Sequence, residues 1–81
     1  MRVTVRLFAR LRDLVGTPEL AREVTEPATV ASVWNALISD YPAARDYERA
    51  MSVAVNATYA RMHSPVNKDD EVAFLPPVSG G

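Results

Sequence analysis

Near the start of the chain, Val3, Val5 and Leu7 alternate with Arg2, Thr4 and Arg6. That period belongs to a strand with one buried face. Phe8 falls on the polar side of the alternation. From Ala9 to Val15 the apolar positions Leu11, Leu14 and Val15 predict a short helical turn, closed by Gly16. Arg10, Arg12 and Asp13 would then face water. Leu20 to Thr25 is a weaker strand: Leu20 and Val24 share a face, but Arg22 interrupts it, as expected of a sheet edge. Glu26-Pro27-Ala28 ends it.

Thr29 suits a helix N-cap. After it, Val30, Val33, Trp34, Leu37, Ile38 and Tyr41 recur at helical spacing and form one apolar stripe. Pro42 stops the helix, because the residue before a proline avoids helical dihedrals. Trp34 reads as a core anchor. Ala43 to Ala50 suggests a short helix or an irregular crossing. Ser52 to Asn56 alternates again, Asn56-Ala57-Thr58 reads as a tight turn, and Tyr59 to Met62 as a short strand. His63 to Asp70 is expected to be a polar loop before the last strand, Glu71 to Leu75. Strands thus flank one long helix. The order fits an α+β fold in which a mixed sheet of four to five strands curls over that helix, a β-grasp. It would place the last strand parallel to the first.

In that arrangement the two central strands leave a few apolar groups on the wrong side. With Val3, Val5 and Leu7 facing the helix, Phe8 points outward. With Val72 and Phe74 facing it, Ala73 and Leu75 point outward. Neighbouring first and last strands would put Phe8 and Leu75 on one open sheet face, a docking surface beside the chain end.

Composition narrows the functional classes. The 81 residues suit one domain, and a chain this short hides only about 60–65% of its unfolded surface. A formal net charge of −1 gives no reason to expect nucleic acid as a partner. No apolar run approaches the ~20 residues needed to span a bilayer, so no membrane partner is expected. The first residues read as a strand and lack a signal-peptide apolar region, which makes the cytoplasm the expected location. There is no cysteine, hence no disulfide, thiolate metal site or thiol nucleophile. His63 is the sole histidine and has no partner residues for a metal or a catalytic triad. Asp69, Asp70 and Glu71 read as a solvated turn. No glycine-rich phosphate loop is present, so the chain itself is expected to bind no cofactor.

Chemistry points instead to the end of the sequence, Pro76-Pro77-Val78-Ser79-Gly80-Gly81. Proline has no amide proton for a ladder, so strand pairing is expected to stop at Pro76, dividing a domain (1–75) from an extended tail (76–81). Extended, those six residues would reach roughly 20 Å. Gly80 and Gly81 lack a Cβ and make the end slender. A carboxylate at Gly81 is inert to substitution until its oxygen becomes a leaving group. Adenylation by ATP would achieve that, after which sulfur gives a thiocarboxylate or an amine gives an amide. The nucleotide site would lie on a partner enzyme.

The ending Phe74-Leu75-Pro76-Pro77-Val78-Ser79-Gly80-Gly81, with the preceding Asp70-Glu71-Val72-Ala73, resembles that of the molybdopterin synthase small-subunit family, ubiquitin-like β-grasp sulfur carriers. Phe8 to Gly16 and Ala54-Val55-Asn56 match further family segments, so the resemblance covers almost the whole chain. It implies that an adenylyltransferase related to ubiquitin-activating enzymes uses ATP on Gly81. It also implies that the Gly81 thiocarboxylate enters a large synthase subunit and donates sulfur to a cyclic pterin phosphate, within a heterotetramer of two small and two large subunits. The family places Phe8, Leu75, Pro76, Pro77, Val78, Ser79 and Gly80 at the partner interface. The position of Leu75 is often aromatic in the family. Related readings are a sulfur carrier for thiamine or tRNA thiolation, and a protein modifier joined through Gly81.

Overall fold

Residues 1–77 are described by the computed structural model of the chain; Val78, Ser79, Gly80 and Gly81 lie outside the described residues. A five-stranded mixed sheet has the order β2-β1-β7-β4-β5. Its strands are β1 (Arg2–Leu7), β2 (Glu19–Glu23), β4 (Ser52–Val55), β5 (Thr58–Ala60) and β7 (Glu71–Leu75). Two short helical segments, α1 (Ala9–Val15) and a 3-10 turn (Pro42–Tyr47), accompany the main helix α2 (Val30–Asp40). A second, two-stranded pairing joins β3 (Ala28–Thr29) to β6 (Pro65–Val66).

The centre of the sheet is the parallel pair β1 and β7, with Val5 opposite Val72 and Leu7 opposite Phe74. Parallel strands need a crossover, and α2 supplies it. Val30, Val33, Trp34, Leu37 and Ile38 of α2 are buried, as the stripe predicts, and Tyr41 is half-buried. Trp34 and Phe74 pack as tilted rings, 5.0 Å between centroids at 52°. The indole Nε1 is satisfied as well, donating to Glu48 Oε1 at 2.6 Å. Among the described residues the core holds no buried polar or charged residue.

Capping explains the helix limits. Thr29 accepts from Ser32 N, while the Ser32 hydroxyl accepts from Thr29 N, a reciprocal capping box. Pro42 follows directly after the C-cap Tyr41. At the edge, Arg22 of β2 turns toward the helix side with Leu20. Its Nη1 lies 2.6 Å from Asp40 Oδ2 at the α2 C-terminus. There it offsets a carboxylate that sits unfavourably at the negative end of the helix dipole.

Four expectations change. The strand after the Asn56 turn is Thr58–Ala60, not Tyr59 to Met62, because Val55 pairs with Thr58 and Val53 with Ala60. The second strand begins at Glu19 and ends at Glu23, not Leu20 to Thr25, because its register is set by Arg6 opposite Glu19 and Arg2 opposite Glu23. The stretch from His63 to Asp70 is not wholly a polar loop: Val66 is buried and pairs with Ala28. In α1, Leu11 is buried and Val15 packs half-buried against the core, but Leu14 is 37% exposed, since the seven-residue helix turns only Leu11 squarely inward.

The β4–β5 hairpin closes on two residues, Asn56 and Ala57, with φ of 50° and 68°. Both positive values mark the turn that matches the twist of flanking strands. Asparagine tolerates this; alanine pays for its Cβ. Asn56 is further tied down, its Oδ1 accepting from Glu71 N and its Nδ2 donating to Asp70 Oδ1, each at 2.9 Å.

Two stability outcomes are expected. Phe74→Ala should cost about 3–5 kcal/mol in urea denaturation, because the Trp34 ring loses its partner in a closed core. Ala57→Gly should instead raise stability by about 0.5–1 kcal/mol, the relief of left-handed strain exceeding the added unfolded-state entropy.

Candidate functional site

Strand register decides which side chains share the face away from α2. Arg6 lies opposite Glu19 on one side and Ala73 on the other; Ala73 lies opposite Ala54, and Ala54 opposite Tyr59. One row therefore crosses all five strands: Glu19, Arg6, Ala73, Ala54, Tyr59. Its two alanines leave the middle low. Phe8, just past β1, and Leu75, at the end of β7, stand beside it. The result is a shallow hollow of about 340 Å³ bordered by Arg6, Phe8, Tyr59, Ala73 and Leu75.

Each wall is held differently. Phe8 is half-buried, and the Arg6 guanidinium lies 5.7 Å from its ring centroid, a cation–π contact. Arg6 also faces two carboxylates, Glu71 at 3.6 Å and Glu19 at 3.9 Å. These pairs are about half exposed, so they orient the guanidinium more than they stabilise the fold. Tyr59 stands 77% exposed, its ring almost wholly offered to solvent. Leu75 is half-buried, Pro76 is buried and Pro77 is exposed, so the chain leaves the body at the rim of the hollow.

Phe8 and Leu75 thus come together on one face, as the alternation predicts. Val78, Ser79, Gly80 and Gly81, the remaining site residues expected from the sequence, fall outside the described residues. Tyr59, Ala54 and Arg6 were not singled out in the sequence. The signal for Tyr59 was present: a two-residue turn at Asn56-Ala57 forces Tyr59 opposite Ala54, on the face that Val53 and Val55 do not use. Arg6 carried no such signal, since a charged residue on a strand's polar side is ordinary.

A second hollow, of about 470 Å³, lies beyond β5 and shares only Tyr59 with the first. Met51, Val53 and Met62 floor it, and neither Phe8 nor Leu75 touches it. The first hollow is therefore the one continuous with the chain end. Among the described residues, no cluster of three or more potential metal ligands occurs. Nor, among the described residues, is any helix long and apolar enough to cross a membrane. What the face offers is a shallow apolar hollow next to an outgoing strand.

Comparison with known proteins places the chain in a family. The ThiS family profile matches residues 5–81. A molybdopterin synthase sulfur carrier subunit from Arabidopsis thaliana is 32% identical over 79 residues, covering 98% of this chain and 82% of the relative. The Escherichia coli protein of the same name is 35% identical over 85 residues, covering 98% and 99%. Among solved structures, SAMP1 from Haloferax volcanii superposes with a TM-score of 0.89 at 29% identity, over 100% of both chains. The strand order and crossover helix are those of the ubiquitin-like β-grasp. This chain belongs to the ThiS family.

Proposed function

We propose that the chain is the sulfur carrier subunit of a molybdopterin synthase. The observation that carries the reading is the junction of two features: the apolar hollow between Phe8, Tyr59 and Leu75, and the Pro-Pro-Val-Ser-Gly-Gly ending that starts at its rim. Full-length similarity to proteins of that name supports it.

The chemistry divides between this chain and its partners. An ATP-dependent adenylyltransferase binds the open face and receives the tail, residues 76–81. A Gly81 carboxylate oxygen attacks the α-phosphorus of ATP, and pyrophosphate leaves. Hydrosulfide released by a sulfur donor then attacks the carbonyl carbon, the bond to the AMP oxygen breaks, AMP leaves with the electron pair, the proton goes to solvent, and Gly81 carries a thiocarboxylate. In the synthase the same face docks on the large subunit, in an assembly of two small and two large chains, and the tail delivers sulfur to a cyclic pyranopterin monophosphate. Two such deliveries build the dithiolene. Glycine suits this work because nothing crowds its carbonyl carbon. The chain contributes no catalytic group beyond Gly81 and binds no cofactor itself; ATP belongs to the activating enzyme. All of this takes place in the cytoplasm.

A second reading, a protein modifier joined to lysines through Gly81, is favoured by the likeness to the small archaeal modifier protein 1 (SAMP1) of Haloferax volcanii. Sulfur delivery to thiamine or tRNA pathways would use the same end chemistry. Offering each acceptor separately to the thiocarboxylate form distinguishes them.

Incubation with the activating enzyme, ATP and a sulfur source should exchange one oxygen of Gly81 for sulfur, seen by intact-mass analysis. An unchanged mass contradicts the proposal. Deleting Gly81 should abolish sulfur transfer while leaving the thermal unfolding curve in place. Tyr59→Ala and Phe8→Ala should each weaken binding to the large subunit by about 1–3 kcal/mol, read by calorimetric titration, with the circular dichroism spectrum unchanged.

A further inference from the structure

A chain that carries an activated acyl group must contend with its own amines. Of the nine lysine and arginine residues, only Lys68 is a lysine. Arginine guanidinium stays protonated and accepts no acyl group under ordinary conditions. The Met1 ammonium is engaged, donating to Val24 O at 2.7 Å and lying 3.6 Å from Glu23 Oε2. Its nitrogen is therefore engaged in a hydrogen bond at the sheet edge. Lys68 differs: it is exposed, and among the described residues no carboxylate pairs with it.

The fold also sets where these amines stand. β1 and β7 run parallel, so Met1 and the loop before β7 share one pole of the sheet. Asp69 N donates to Arg2 O at 2.8 Å and Thr4 N to Asp70 O at 2.9 Å, which fixes Lys68 at that pole. The chain end leaves from the opposite pole, after Leu75 and Pro76. Six extended steps separate Glu71 from Pro77, roughly 20 Å, and Lys68 lies further back still. The four residues after Pro77 reach at most ~14 Å. A tail doubled back on its own Lys68 would have no slack with which to align amine and carbonyl.

We infer that Lys68 is the acyl acceptor of this chain, and that it takes the activated Gly81 of a second copy and not its own. The inference rests on the activation of Gly81 proposed above. When sulfur is absent, the neutral Lys68 Nζ attacks the Gly81 carbonyl carbon of the acyl adenylate. A C–N bond forms, the bond to the AMP phosphate oxygen breaks, AMP leaves with the electron pair, and the surplus proton goes to solvent. The product is a head-to-tail series joined through one kind of isopeptide linkage.

The test separates this step from enzymatic activation. The full chain is prepared with a chemical thioester of mercaptoethanesulfonate at Gly81 and incubated at high concentration at mildly alkaline pH. Hydroxylamine then removes unreacted thioesters, and tryptic peptides are sequenced by mass spectrometry. The expected species is a dimer in which residues 69–81 branch from Lys68, which trypsin then fails to cleave. K68R should lower dimer yield at least about tenfold, the Met1 α-amine being the one remaining amine. A branch at Met1 equal to that at Lys68, a cyclised monomer, or an unchanged yield in K68R overturns the inference. A parallel incubation with the adenylating enzyme and ATP, without sulfur, reads the activation step alone. A Lys68 branch from the thioester with no adenylation by the enzyme would sink the proposed function and leave the acceptor assignment standing.

Discussion

The parallel pairing of β1 with β7 is the constraint from which the rest follows. It sets Val5 against Val72 and Leu7 against Phe74 in the middle of the sheet, both pairs beneath the Trp34 face of α2. Loss of that pairing would part the strands that carry the fully buried Val3, Val5, Leu7, Val72 and Phe74, and with them the Phe74 ring that packs on Trp34 of α2. It also determines direction. A last strand running parallel to the first must end where the first ends, so Leu75 emerges beside Phe8. Burial on one face and docking on the other are thus two consequences of one register. A shift of a single residue would exchange the faces, burying Ala73 and Leu75 and exposing Val72 and Phe74.

Small residues do as much as large ones in shaping the open face. Ala54 and Ala73 form the floor only because they are short, and their low profile lets Phe8, Tyr59 and Leu75 stand as walls. The charges lie to one side, where Arg6 is flanked by Glu19 and Glu71. Apolar walls about an empty centre, with polar groups at the margin, are the ordinary anatomy of a contact that excludes water from its middle. The carrier chemistry suits such a division. Under the proposed function this chain brings the reacting end and the address, while the partners bring nucleotide, sulfur and substrate sites.

Much of this was legible in the residues. The β1 alternation and the α2 stripe are strong signals because each is set by burial on one face, and both elements formed where they were expected. The outward placement of Phe8 and Leu75 followed from the same parity. Harder to see were features decided by long-range pairing. Val66 looked like one apolar residue in a polar loop, yet its pairing with Ala28 buries it. Leu20 to Thr25 was misplaced because an edge strand has little pattern of its own, and its limits come from β1. Tyr59 was missed for another reason: the turn that sets it opposite the small Ala54 was read one residue too long.

The central claim is that the open sheet face and the chain end act as one recognition unit. Titrating the isotopically labelled chain with a large synthase subunit, and following backbone amide shifts by NMR, tests it directly. The account expects the largest changes at Arg6, Phe8, Ala54, Tyr59, Ala73 and Leu75, with the α2 amides unmoved. Changes concentrated on α1 or α2, with the open face silent, would contradict it.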